Sequence, residues 1–145
     1  MVEFLRIHLV LGTLLEVVSF ARLVFTDTPF VELLPTVTDP SFDAVPAVRR
    51  LYALYVLTLA TLRFATACDM TNAALFGALT VAHVMEAAYS VLEVLVFADV
   101  PVSSLLTLAH APKSAMLAVL IAQMLFIGTG YFRYVVPHSA KLKRQ

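Results

Sequence analysis

Cysteine occurs once, at Cys68, so no internal disulfide can form, and no CxxC or Cys/His spacing offers a zinc or redox pair. Cys68 is read as a packing residue. Charge is scarce as well: 14% of the chain, ten Lys and Arg against ten Asp and Glu. With no excess of either sign, nothing steers the chain toward nucleic acid or an acidic surface. Ser/His/Asp, GxGxxG, P-loop and HExxH patterns are all missing, so the sequence points to no catalytic residues, no metal and no cofactor. There is no internal repeat, low-complexity tract or soluble domain either. What remains is apolar: 61% of the 145 residues are hydrophobic, and the mean hydropathy is +0.90. A chain of this kind is expected in lipid, with partners inside the membrane.

A helix needs ~20 mostly apolar residues to cross ~30 Å of hydrocarbon, and four stretches qualify: residues 4–25, 48–68, 72–97 and 112–136. The first contains Glu16 and is too long and too charged for a cleaved signal, so it reads as a retained anchor. It stops at Thr26, Asp27, Thr28 and Pro29. The loop over 26–47 carries Pro29, Pro35, Pro40 and Pro46 with Asp27, Glu32, Asp39 and Asp43. It should be extended and acidic, with residues 30–34 lying along the interface. Arg49 and Arg50 open the second span. Asp69, Met70 and Thr71 make a short turn capped by Thr71 or Asn72, so spans two and three form a tight antiparallel hairpin. Residues 102–111 are expected to be a lead-in helix meeting the fourth span at Pro112, and residues 137–145 a basic tail. Tyr131 and Tyr134 near the last boundary fit an interfacial aromatic belt. The expected fold is a single all-α transmembrane domain, a four-helix bundle with short loops. Four spans put both termini on one side, and Lys141, Lys143 and Arg144 place that side in the cytosol, against the opposing pull of Arg49 and Arg50.

An ionisable group at the centre of a span costs roughly 2.5–3.5 kcal/mol on insertion scales, so each needs a partner or a purpose. At 1.5 Å per residue, Glu16, His83, Glu86 and Gln123 fall at mid-bilayer within about 5 Å of one another in depth. His83, Glu86, Ser90 and Glu93 follow i, i+3, i+7, i+10 spacing and give span three one polar face. Glu86 should therefore lie within hydrogen-bonding or water-bridged reach of a polar group on another span, and Glu93, at the depth of Arg22, Arg49 and Arg50, is placed for an ion pair with one of them. Glu16, His83 and Glu86 have the chemistry of acid/base catalysis or a proton path. Interhelical hydrogen bonding is the preferred reading, because no second carboxylate pair recurs at regular spacing. Arg63 lies about 9 Å from the Asp69 turn. It is expected to snorkel to the headgroups or to pair, in preference to touching a substrate.

In spans two and three the polar register becomes specific. Arg50 and Arg63 are followed by Asp69 and Asn72 in a D-x-x-N turn, then Phe76, then Glu93 and Phe97 in an E-x-x-x-aromatic ending. This pattern, with its apolar fillers over residues 47–145, resembles the small four-span family called ergosterol biosynthetic protein 28; the first span fits only in hydropathy. The resemblance implies a non-catalytic scaffold in the endoplasmic reticulum that tethers the sterol C4-demethylation enzymes: methyl oxidase, decarboxylating dehydrogenase and ketoreductase. It also implies Arg50, Arg63, Asp69, Asn72 and Glu93 as partner-binding residues. The terminal Lys141-Leu142-Lys143-Arg144-Gln145 resembles a dilysine retrieval signal for the same membrane, or else serves as a stop-transfer charge cluster.

Two other functions compete. One is an accessory subunit of a larger membrane assembly, such as a respiratory or ATP-synthase complex of the mitochondrial inner membrane. The other is a small sterol-isomerase-type enzyme using Glu16, Glu86 and His83. Homo-oligomerisation is left open by all three.

Overall fold

The computed structural model describes residues 2–33, 45–97 and 101–137. The expectations for Pro35, Asp39, Pro40, Asp43 and the Lys141/Lys143 tail lie outside them. Four helices are long and apolar enough to cross a membrane: Glu3–Phe25, Pro46–Cys68, Ala73–Phe97 and Leu108–Val135. The protein is an all-α membrane bundle. In chain order the elements are α1 (Val2–Phe25), the one-turn α2 (Phe30–Leu33), α3 (Pro46–Cys68), α4 (Ala73–Leu92) and α5 (Ala111–Gly130). Glu93–Phe97 and Tyr131–Val135 extend α4 and α5 as wide π turns.

The helices begin and end where local chemistry requires. Pro46 sits in the first turn of α3, where its missing N–H costs nothing. The Asn72 side chain accepts from Leu75 N at 3.1 Å and caps α4. Asp69 Oδ1 accepts from Thr71 N (3.2 Å) and Thr71 Oγ1 (2.7 Å), which closes the turn between α3 and α4. Residues 102–111 do not form a lead-in helix. They make two 3-10 turns, Val102–Ser104 and Leu108–His110, and α5 starts at Ala111 with Pro112 in its first turn. Pro112 thus lies in the first turn of α5, where the fourth span was expected to begin. Ser114 Oγ donates to Leu105 O and to His110 O, tying these turns to α5.

α1 packs mainly on α3 and α4 mainly on α5, so the bundle is two helix pairs. At one end, here called the hairpin end, the two pairs mesh. Leu5, Leu9, Phe76, Leu79, Ile127 and Val135 are all at most 3% exposed there. Gly130 is part of the fit: a Cβ on it would stand 2.7 Å from Leu5 Cδ2 and 3.6 Å from the Phe76 ring. The start of α1 and the end of α5 meet here, with Phe4 edge-on to Phe126 at 5.8 Å.

The opposite, loop end is held differently. Arg49 Nε donates to Leu23 O (2.8 Å), Nη1 to Thr28 O (2.8 Å) and Nη2 to Thr26 O (2.7 Å), so one guanidinium covers carbonyls left over at the end of α1. Buried Phe30 packs on Leu23, Ala53 and Val56 beneath it. The outward faces of the four spans carry exposed Leu, Val, Ile and Phe, as a lipid-facing surface requires.

Candidate functional site

Arg63 sits in α3 one and a half turns before the hairpin, yet its side chain runs away from the nearby membrane face. Cα–Cβ bonds tilt toward a helix's N-terminus. For α3 that direction leads into the bilayer; for α1, whose N-terminus lies at the hairpin end, it leads back toward Arg63. The Arg63 and Glu16 side chains therefore lean toward each other and meet, with Nε 3.1 Å from Glu16 Oε1. Snorkelling to the headgroups does not occur: Arg63 is 6% exposed.

The same guanidinium reaches the other two spans. Nη2 lies 2.7 Å from His83 Nε2 on α4. The other ring nitrogen, Nδ1, lies 2.8 Å from the Leu79 carbonyl, which can only accept. Nδ1 thus carries the hydrogen, and Nε2 accepts from Arg63, which can only donate. With its amide oxygen toward the guanidinium, Gln123 on α5 accepts from Nη1 at 3.0 Å and from Nη2. Side chains from three of the membrane helices thus converge on a single buried cation carried by the fourth. Gly12 makes the space, because a Cβ there would collide with Nη1. Thr13, beside it, donates to Leu9 O and approaches Ala60 O of α3 at 3.5 Å, so α1 and α3 touch closely at this level.

Glu86 takes no direct part. Its Oε2 is buried without a hydrogen-bond partner among the described residues, as is Glu16 Oε2. Glu86 makes no direct hydrogen bond to another span among the described residues; its carboxyl lines a cavity that Glu16 of α1 and Tyr52 and Tyr55 of α3 also line. This cavity, about 620 Å³, lies between the two helix pairs on the loop side of Arg63. Glu16, Glu86, Ser19, Ser90 and the three tyrosines Tyr52, Tyr55 and Tyr89 are its polar lining residues, and Leu59, Met85 and Leu120 are among its apolar ones. A buried carboxyl oxygen left unpaired ordinarily costs about 1–3 kcal/mol.

Of Arg50, Arg63, Asp69, Asn72 and Glu93, only Asp69 and Asn72 come together, in the hairpin turn, where Asn72 N donates to Asp69 O at 3.3 Å. Arg50 is exposed at the loop end and Asp69 is exposed in the hairpin turn, where hydrogen bonds from the Thr71 side chain and backbone hold its carboxyl below the usual carboxylate range. Glu93 is 7% exposed and lies one turn after Tyr89 on the same helix. It forms no ion pair with Arg22 or Arg50 among the described residues, and Arg49 is engaged by the carbonyls at the end of α1.

A family model described as "Erg28 like protein" matches residues 4–118. The chain belongs to the Erg28-like family. The match takes in α1, which the polar register of spans two and three left as a hydropathic likeness only, and stops within α5. Three of the four side chains at the cluster, Glu16, Arg63 and His83, thus lie within the Erg28-like stretch, and Gln123 lies beyond it. Membership supports a membrane protein related to sterol biosynthesis. No curated protein and no solved structure matches the chain.

Gly12 and Tyr52 were not singled out in the sequence. Gly12 had a legible signal, a residue without a side chain one turn before an intramembrane carboxylate. Tyr52 did not, since tyrosines three apart near a span end look like any interfacial belt.

Proposed function

We propose that this protein is a non-catalytic scaffold of the endoplasmic-reticulum membrane that holds sterol C4-demethylation enzymes near one another. The observation that carries the reading, beside family membership, is the use made of the acid/base-capable groups. His83 has both ring nitrogens engaged, and Glu16 is tied through one oxygen to Arg63. An imidazole whose lone pair already accepts from a guanidinium is poorly placed to take a proton from a substrate. Those groups fasten helices, as a scaffold needs: a rigid body whose exposed polar ends meet other proteins. Both termini and the hairpin end then face the cytosol, with the Lys141/Lys143 tail as retrieval signal. Arg50 at the loop end of α3, and Asp69 and Asn72 in the hairpin turn, are the exposed polar members of the family pattern.

Tagged protein recovered from its own cells should bring down the methyl oxidase, the decarboxylating dehydrogenase and the ketoreductase. Changing Arg50 and Asp69 together to Ala should lower that recovery severalfold, with partial accumulation of C4-methylated sterols. The loss is partial because the enzymes keep their active sites and lose only proximity. Recovery of respiratory or ATP-synthase subunits in their place, or a sterol profile unchanged by deletion of the whole chain, overturns the proposal.

A further inference from the structure

The cavity beside Glu86 is a built site with an end and a direction. Along α3 its wall runs from Val48 to Leu59, about 16 Å at 1.5 Å per residue, or roughly half of a ~30 Å hydrocarbon core. Its volume of about 620 Å³ falls among small-molecule sites, which run from ~300 to 1,000 Å³. Its inner end carries two buried carboxyl oxygens, Glu16 Oε2 and Glu86 Oε2, neither with a protein partner among the described residues. Leu51 and Tyr55 on α3 and Met85 and Tyr89 on α4, all at least 38% exposed, leave it open sideways to lipid.

The chemistry of that inner end selects the occupant. Two carboxyls beside a guanidinium that Glu16, His83 and Gln123 already hold repel a phosphate or carboxylate headgroup. A hydroxyl both donates and accepts, so it satisfies a carboxyl group in either protonation state. It is also the one common lipid headgroup cheap enough to bring to mid-bilayer, since a charged one carries the intramembrane cost that makes such groups rare. The length confines the apolar body to something compact, and a two-chain lipid would overhang. We propose that this cavity binds a lipid alcohol of the sterol class, its single hydroxyl on Glu86 and Glu16 and its ring body between α3 and α4. The proposal goes beyond tethering and does not depend on it, because the isolated chain should bind.

The test uses the purified full chain in phosphatidylcholine nanodiscs with a photoactivatable 3-hydroxysterol, its 3-deoxy analogue and its 3-amino analogue. Cross-links from the alcohol should map to peptides containing Tyr55, Met85 and Tyr89 and be competed by unlabelled sterol but not by hexadecanol. Labelling should fall about tenfold for the deoxy probe and for Glu86→Ala, the size of one lost hydrogen bond. Ala82→Leu, which adds bulk to the wall and leaves both carboxyls in the chain, should lower labelling by the same order and serves if Glu86→Ala fails to fold. Equal labelling by the deoxy probe means an apolar groove without recognition, labelling by the amine alone means a cation site, and competition by hexadecanol means no preference for rings. Each of these overturns the proposal, as do unchanged labelling of Ala82→Leu and cross-links scattered over the outer helix faces.

Discussion

The two ends of this bundle solve the same problem in different ways. At the hairpin end Leu5, Phe76, Leu79 and Ile127 interdigitate, and Gly130 lets α5 close on α1. At the loop end the α1/α3 and α4/α5 pairs are each well packed, around Leu23 and Phe30 in one and Val94 and Leu117 in the other, with a cavity between them. In lipid an apolar side chain gains little by leaving the bilayer for a protein interior, so helices adhere only where they fit closely or hydrogen bond. Where the fit ends, something polar must hold the pairs in register, and here it is the Arg63 cluster. One end is thus shaped for rigidity and the other for admission.

The cluster at the boundary predicts the largest effect. Arg63→Ala removes the cation on which Glu16, His83 and Gln123 converge and leaves the Glu16 carboxylate buried and uncompensated. It should destabilise the protein by about 3–5 kcal/mol, measured as reversible unfolding in mixed dodecyl maltoside and dodecyl sulfate micelles. Arg63→Met combined with Glu16→Gln should recover much of that loss, since it removes the orphaned charge along with the pair. A single variant as stable as the parent would show that the two ends hold together without the cluster.

The next effect is confined to the packed end. Gly130→Val places a branched side chain where even a Cβ would stand 2.7 Å from Leu5 Cδ2. Overpacking of this kind costs about 1–3 kcal/mol, read in the same unfolding experiment. The loss should leave sterol cross-linking at Tyr55 and Met85 intact, because the strain arises at the other end of the bundle. Loss of both together would mean that the ends are one cooperative unit and that the contrast between them is only a matter of shape.

How much of this was legible beforehand follows from what each rule measures. The constant rise per residue and the length needed to cross hydrocarbon give four spans from hydropathy alone, and the same ruler puts Glu16, His83 and Gln123 at one depth. It says nothing of side-chain direction, and so it left Arg63 near the headgroups although its Cβ points inward. Nor does it register a side chain that is missing, so Gly12, which admits the guanidinium, passed unnoticed. Glu93 seemed ready for an ion pair because depth was matched without rotation; in the structure it is buried beside Tyr89, and Arg49 lies on the α1 carbonyls. The cavity had no sequence signature, since it depends on how far two helix pairs diverge.

The smallest effect makes the sharpest contrast. Ala82→Leu adds three carbons to a residue on the cavity wall, in the helix that also carries Glu86. In a close-packed interior an addition of that size forces neighbours from their rotamers, at the cost just given for Gly130→Val. Ala82 is partly buried, resting against the hairpin-end cluster on one side and lining the cavity on the other, so the added atoms that reach the cavity meet open volume. The gain in contact, about 0.1–0.2 kcal/mol for each well-placed atom pair, should offset the side-chain entropy lost. Stability should therefore stay within about 0.5 kcal/mol of the parent, the range of substitutions that disturb no packing, while sterol cross-linking falls. A penalty equal to that of Gly130→Val would mean that the wall at Ala82 is as tightly packed as the hairpin end, and the division of the bundle into a rigid half and an admitting half would fail with it.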